Sequence, residues 1–475
     1  MSELPSGWVW ASPDDVAAQA PNALTIGPFG SDLKVSDYRS TGVPLVFVRE
    51  IRARCFGDIK TKFIDGNKAE ALARHYARSG DVLITKMGDP PGDTAIYPRD
   101  RPPAIITADC IKLTPNTAVT SAAYLCNCLR SDPVKAQLLE QTAGVAQQKL
   151  SLERFRSVGL PLAPLPEQKR IVDKLDALLA RVDACRERLD RVPAILKRFR
   201  QSVLAAATSG ELTREWREAQ GRTAEWQRTS VADVSAQVFD GPFGSHLKSN
   251  DYVDNGVRVV RLENIAPLRF IAEKRTYIAP EKYERLTRHT LFAGDILFSS
   301  FVDEEVRVCL LPDELDGKAI NKADCFCIRT NPQCCRPTFL ALRLACRSTF
   351  EALDEVVHGA TRPRINLGQL REITFDLPSL DEQDEILRRS RALLDLADAL
   401  EVRLGAAREC VAQTVPSALA KAFRGELVAQ DPDDEPASEL LAQVRSRPAA
   451  PSASGKPKRG EVRGPRTKAA KAKTT

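Results

Sequence analysis

Two short turns carry the residue types that could grip a phosphate. Gly27-Pro28-Phe29-Gly30-Ser31 leads into Leu33-Lys34 and Asp37-Tyr38, and the same order returns as Gly241-Pro242-Phe243-Gly244-Ser245, Leu247-Lys248 and Asp251-Tyr252. A glycine-flanked turn brings backbone N–H groups and a serine hydroxyl close to a surface, and such a turn can sit against phosphate. The alternative is a structural turn in which Phe29 and Phe243 plug the core of each copy. A second pair of loops is Gly144-Val145-Ala146-Gln147-Gln148-Lys149 and Gly359-Ala360-Thr361-Arg362-Pro363-Arg364. Glutamine reads adenine, and arginine reads guanine, through two-pronged hydrogen bonds in the major groove. The two copies differ here while their frames agree, as expected if each reads a different sequence. A solvated polar loop is the plainer reading of any single residue. The candidate nucleic-acid contacts are thus Gly27, Phe29, Gly30, Ser31, Lys34, Lys86, Gln147, Gln148 and Lys149 in one copy. In the other they are Gly241, Phe243, Gly244, Ser245, Lys248, Arg362 and Arg364.

Other chemistry is missing. There is no Gly-x-Gly-x-x-Gly after a strand, no phosphate-cradling Gly-Lys-Ser/Thr loop, and no motif for a Ser, Cys or His nucleophile. Asp89-Pro90-Pro91-Gly92 evokes the base-holding loop of amino-methyltransferases, but it lacks the aromatic residue, a glycine-rich partner loop and a counterpart in the second copy; a tight turn explains it. Asn331-Pro332-Gln333 fails the same test. The twelve cysteines include no Cys-x-x-Cys pair and the chain has four histidines, so zinc-ligand spacing is absent and no metal site is expected. Cys110, Cys126, Cys128, Cys185, Cys309, Cys325, Cys327 and Cys346 fall at apolar positions, as small buried hydrophobes in a reducing cytoplasm would.

The elements that position these loops also come twice. Gly80-Asp81-Val82-Leu83 answers Gly294-Asp295-Ile296-Leu297. Leu160-Pro161-Leu162 with Glu167-Gln168 answers Phe375-Asp376-Leu377 with Glu382-Gln383. Ser202-Val203-Leu204 running to Gly210-Glu211-Leu212 answers Ser417-Ala418-Leu419 running to Gly425-Glu426-Leu427. Trp8 precedes Asp15-Val16 as Trp226 precedes Asp233-Val234. In the first block, Trp8 to Pro166, short strands are expected at Leu45 to Val48, Val82 to Thr85, Ala95 to Tyr97 and Cys110 to Leu113, then a helix from about Ala122 to Glu140. The second block, Trp226 to Leu380, repeats this order with Val257 to Leu262, Asp295 to Ser299, Val306 to Leu311 and Cys325 to Thr330, then a helix near Thr338 to Val357.

A long helix follows each block. Ile171, Leu175, Leu178, Val182, Cys185, Leu189, Val192, Leu196, Phe199 and Val203 alternate at spacings of four and three, a heptad seam. Ile386, Ser390, Leu393, Ala397, Leu400, Leu404, Ala407, Val411, Thr414 and Ala418 keep the same frame with a weaker seam. Pro193 and Pro416 should each kink a helix or start a new segment. The two helices could pair, and two blocks at opposite ends require them to run antiparallel. The expected fold is α+β: two tandem β-rich blocks, 1–166 and 222–381, separated by long antiparallel coiled-coil helices in a pseudo-two-fold repeat. The helices occupy 167–212 and 382–427, with a linker at 213–221 and a disordered basic tail at 428–475. That tail has eight Lys or Arg against one Glu between Pro448 and Thr475, so the formal charge of +6 belongs to it and the body is near neutral. Any nucleic-acid surface must then be local. Met1 to Trp10 has neither a basic start nor an apolar stretch, and no run is long enough for a membrane span, so a cytoplasmic chain is expected.

Together these motifs resemble the specificity subunit of type I restriction–modification systems, over about Trp8 to Leu427. The repeated Glu-Gln to Gly-Glu-Leu segments are the most specific part. The resemblance implies two target recognition domains, each reading one half of a split site on double-stranded DNA. It implies helices that set the gap and dock two methyltransferase subunits, with Ile171, Leu175, Leu178, Val182, Leu189, Leu196, Ile386, Leu393, Leu400 and Leu404 as spacer and interface residues. The chain itself would be non-catalytic and hold no cofactor. S-adenosylmethionine, ATP and magnesium would bind the methyltransferase and restriction/translocase subunits. Two other classes compete: a self-sufficient DNA methyltransferase, against which the missing cofactor loop argues, and a coiled-coil adaptor with no nucleic-acid role.

Overall fold

The computed structural model describes residues 3–58, 60–88, 91–141, 149–222, 225–244, 246–302, 305–355 and 363–446. They divide into two units, one of residues 1–185 with 410–475 and one of residues 186–409.

Each unit holds two larger sheets, whose strand order recurs between the units, beside short two-stranded pairings. In the first unit the strands Leu24–Ile26, Cys110–Leu113, Val82–Thr85 and Thr94–Ile96 lie in that order, all antiparallel. The other sheet orders Phe63–Ile64, Val43–Val46, Ala104–Ile106 and Tyr76–Ala77, with Leu45 opposite Ile105 in a parallel pair. The second unit repeats the antiparallel sheet with Ser235–Phe239, Cys325–Thr330, Ile296–Ser299 and Val308–Leu310. Its other sheet again contains one parallel pair, Arg258 opposite Ala319, and gains a fifth strand, Tyr252–Val253. The short runs Val82–Thr85 and Cys110–Leu113 are buried along their whole length, because sheet neighbours and helices cover both faces.

Three local expectations change. The run from Leu45 leaves the sheet after Val46, and Val48–Ala53 is helical, with the Glu50 carboxylate capping the Phe47 N–H. The single helix expected over Ala122 to Glu140 is two, Ala122–Leu129 and Asp132–Glu140, because Ser131 turns its hydroxyl back to the Cys128 carbonyl ahead of Pro133. The second unit breaks at the equivalent place, into Pro337–Leu344 and Arg347–Asp354. Cys185 is exposed, whereas the other seven cysteines named above are buried.

The long helices run Leu165–Thr208 and Leu380–Ala422. Within the first unit, Leu175, Leu178, Leu179 and Val182 face Thr414, Val415, Ala418 and Leu419 around an apolar gap of about 10 Å³. Within the second, Arg200 binds Asp398 and Glu401, each at 2.7 Å, and Arg408 binds Asp190 at 3.1 Å. Rising numbers on one helix meet falling numbers on the other, so the pairing is antiparallel. Neither proline starts a new segment. Pro193 removes the N–H that would serve the Leu189 carbonyl, and Arg408 donates to that carbonyl instead, at 3.4 Å.

The Glu-Gln repeats form the joint between block and helix. Trp8 donates to Glu167 at 3.0 Å, and Trp226 to Glu382 at 3.1 Å. Gln168 donates to the Val119 and Ala163 carbonyls and Gln383 to those of Cys334 and Pro378. All four Glu and Gln side chains are buried. The segment 213–221 is more than a linker: Arg214–Ala219 is a helix whose Arg217 pairs with Glu382 at 2.6 Å. Nor is 428–475 disordered throughout. Ala437–Ser446 is a helix that buries Ala437, Leu441 and Val444 in the core of the first unit, an apolar stripe the acidic run before it hides from a composition-based reading. Residues 447–475 lie outside the described ones.

Candidate nucleic-acid interface

The first glycine of each turn is dictated by a crossing of backbones. A Cβ on Gly27 would stand 2.0 Å from the Thr107 carbonyl oxygen, and one on Gly241 would stand 2.3 Å from the Lys322 carbonyl carbon. Gly30 and Gly244 have open space around them. The Phe29 carbonyl accepts the N–H groups of Asp32 and Leu33, and the Phe243 carbonyl those of His246 and Leu247. The rings do not plug the core: Phe29 is 62% exposed and Phe243 61%. The apolar anchors are Leu33 and Leu247, which pack beneath the turns. Lys34 and Lys248 are exposed, each with its backbone N–H held by an aspartate, Asp37 or Asp251.

A histidine braces each turn from behind. His75 Nδ1 lies 2.7 Å from the Ile26 carbonyl, and His289 Nδ1 2.8 Å from that of Asp240. Arg74 and Arg288 donate to the other ring nitrogen. That fixes a neutral tautomer with the proton on Nδ1. Burial holds both histidines below the usual pKa of histidine, and the adjacent arginine charge adds to the effect. Sequence reading missed these residues, although Arg74-His75 and Arg288-His289 repeat at the same offset as the turns.

The turn that crosses Gly27, which links the two larger sheets, also holds the end of the second loop. Lys86 donates its N–H to Asp109, and Leu150 donates to Lys86. In the second unit Ser300 donates to Asp324, and Ile365 to Ser300. Met87 bridges to Lys149 and Phe301 to Arg364. The fold therefore brings the glycine turn of each unit and the end of its second loop, Lys149 or Arg364, to one connection between the two larger sheets, 107–110 or 321–325. Lys86 is half-buried, Lys149 exposed and Arg364 exposed. The Arg364 guanidinium sits 4.1 Å from the Phe301 ring centre and 3.4 Å from Asp324. Gln147, Gln148, Ser245 and Arg362, and the Asp89-Pro90 pair, lie outside the described residues.

Of the spacer residues, Ile171, Leu175, Val182, Leu196, Ile386 and Leu404 are buried, Leu178, Leu189 and Leu393 partly so, and Leu400 is 39% exposed. Ile171, Leu175 and Ile386 belong to the core of their own unit. Among the described residues no group of His, Cys, Asp and Glu could hold a metal ion, and no helix is long and apolar enough to cross a membrane.

The family described as the type I restriction modification DNA specificity domain matches twice, at residues 72–194 and 291–404. The StySPI type I restriction enzyme specificity subunit of Salmonella potsdam is 30% identical over 68% of this chain and 69% of its own length. The chain belongs to the type I restriction–modification specificity subunits. The EcoBI specificity subunit of Escherichia coli is 28% identical to this specificity subunit, over 89% of this chain and 90% of the relative. Two solved structures share the fold. One is the HsdS subunit from Thermoanaerobacter tengcongensis, with a TM-score of 0.59 at 18% identity over 90% of this chain and 99% of that one. The other comes from a study of complex assembly and conformational transition in a type I system, with a TM-score of 0.64 at 19% identity over 90% of this chain and 100% of that one.

Proposed function

We propose that this specificity subunit is a non-catalytic reader: each block reads one half of a split double-stranded DNA site, and the long helices set the gap and dock two methyltransferase subunits. The observation that carries this reading is the loop cluster, which recurs with an unchanged frame and changed cations. Lys86 and Lys149 stand where the second unit has Ser300 and Arg364. A constant frame supplies phosphate contacts and register, and variable side chains supply base readout. S-adenosylmethionine is assigned to the methyltransferase subunits, and ATP and magnesium to restriction/translocase subunits that join the larger complex.

The test is a block exchange. Replacing Trp8–Pro166 by the corresponding block of another specificity subunit is expected to change one half-site in a genomic methylation map and leave the other as it was. A change in both halves would count against the reading. Methyl transfer to DNA by the pure chain with a labelled donor would overturn its non-catalytic part.

A further inference from the structure

The repeated turns hold outward the residue that burial would favour most. Gly27 and Pro28 are buried, as are Gly241 and Pro242, and Leu33 and Leu247 are packed on the far side of each turn. Between these fixed points the Phe29 and Phe243 rings are exposed to almost the same extent. An aromatic ring on a braced turn gives up hydrophobic stabilisation, and this chain does so twice at equivalent positions.

Resting on the DNA-reading assignment above, we propose that Phe29 and Phe243 are wedges, each inserting at one base-pair step of its own half-site. The surroundings favour a duplex over a protein partner. The exposed neighbours of Phe29 include Gly30, Ser31, Asp32 and Lys34, and those of Phe243 include Gly244, His246 and Lys248. A protein-docking face needs a contiguous apolar patch. Val35 extends the apolar surface in the first unit only, since Ser249 takes its place in the second. One ring in a polar, cation-bearing collar fits a base step flanked by phosphates, and apolar side chains of this kind unstack such steps. The repetition also decides the kind of readout. Two heads that read different bases share no hydrogen-bonding reader; they share a ring with neither donor nor acceptor. Such a ring senses how readily a step opens, so flexible pyrimidine–purine steps are the expected seats.

The experiment uses the full chain in complex with its methyltransferase subunits, on DNA carrying the site found by methylation mapping, with 2-aminopurine placed at successive steps. The parent complex is expected to give one bright step in each half-site. Phe29→Ala should extinguish the step in one half-site only, lower affinity for that site roughly ten- to a hundredfold and leave subunit assembly intact. Phe243→Ala should do the same in the other half, and Phe29→Leu should keep part of the signal, which separates lost insertion from lost folding. Retention of DNA with no bright step, or a bright step that survives Phe29→Ala and Phe243→Ala, overturns the wedge alone. Loss of methyltransferase subunits with unstacking unchanged overturns it in favour of a protein contact. A parent complex that retains no DNA overturns the reading assignment as well.

Discussion

Arg408 donates to the carbonyl of Leu189 at 3.4 Å, the oxygen that Pro193 leaves without its helical N–H. The same guanidinium nitrogen reaches Asp190 at 3.1 Å. The proline and the arginine therefore act as a pair, one opening a gap in the first long helix and the other filling it from the second. Pro193→Ala should raise thermal stability, because it restores the intrahelical bond and removes a helix-interior proline, a change worth up to about 3 kcal/mol. Arg408→Ala should cost roughly 1 kcal/mol in the parent, and little once Pro193 is alanine. A double-mutant cycle read by denaturant midpoints checks this; additive effects would show that the two residues are independent.

Arg364 is held over Phe301 and against Asp324 before any ligand arrives. A guanidinium fixed in this way suits two-pronged recognition of guanine. Arg364→Ala is expected to relax specificity at one base pair of the half-site read by the second block, by about 1–3 kcal/mol. Arg364→Lys should keep much of the affinity but not the discrimination, since a lysine contributes charge without the fork. Methylation of a library of substituted sites distinguishes this from a pure phosphate contact, which would weaken every sequence alike.

Much of this was legible because the chain repeats itself. Gly27 and Gly241 could be matched by eye, and the two sheets they join do share strand order. The seam Ile171, Leu175 and Val182 had a helical period, and those residues are buried. What stayed hidden depended on contacts across long stretches of sequence. Trp8 and Glu167 each repeat, but only folding shows that one donates to the other. The exposure of Phe29 could not be read, because an aromatic beside glycines looks the same whether it plugs a core or faces solvent. The helix Ala437–Ser446 was lost to its neighbours: acidic, proline-rich residues precede it and a basic run follows, so its three apolar anchors carried little weight. Pro193 marked a gap in the hydrogen bonding of its own helix, but its sequence position says nothing of a donor waiting on another helix.

His75 and His289 couple the turns to pH. Burial holds both below the ordinary histidine value, so each is neutral in the folded protein near neutral pH. Their stabilisation is fully present above the unfolded value near 6.5 and is lost as the pH falls from there through the lower folded value. Protonation puts a second charge beside Arg74 or Arg288 and removes the acceptor those arginines use. Stability and DNA retention should therefore fall together as the pH drops below about 6.5. Replacing both histidines by glutamine should flatten that part of the profile, as measured by thermal unfolding across pH, at the cost of some stability at pH 7.5. An unchanged acid limb in the double variant would place the sensitivity elsewhere.

The two joints differ in one respect that a conservative exchange can reveal. Glu167 Oε2 accepts from Trp8, but its Oε1 is buried with no hydrogen-bond partner in the described structure. Burial raises the pKa of this carboxyl, an effect that the Trp8 hydrogen bond and the charge of Arg170 only partly offset. A raised folded value means that its contribution is most favourable below the unfolded value near 4.5, and is lost as the pH rises through the folded value. At neutral pH the charge is a burden, so Glu167→Gln, which retains an acceptor for Trp8, should leave stability unchanged or higher. Glu382 accepts from the equivalent tryptophan, Trp226, but also from Thr213 at 2.7 Å and Arg217 at 2.6 Å. Glu382→Gln therefore breaks a largely buried ion pair and should cost about 2 kcal/mol, visible as a lower unfolding midpoint at pH 7 that Arg217→Ala would not deepen by a similar amount. Equal effects of the two glutamine variants would mean that Arg217 contributes nothing to the second joint.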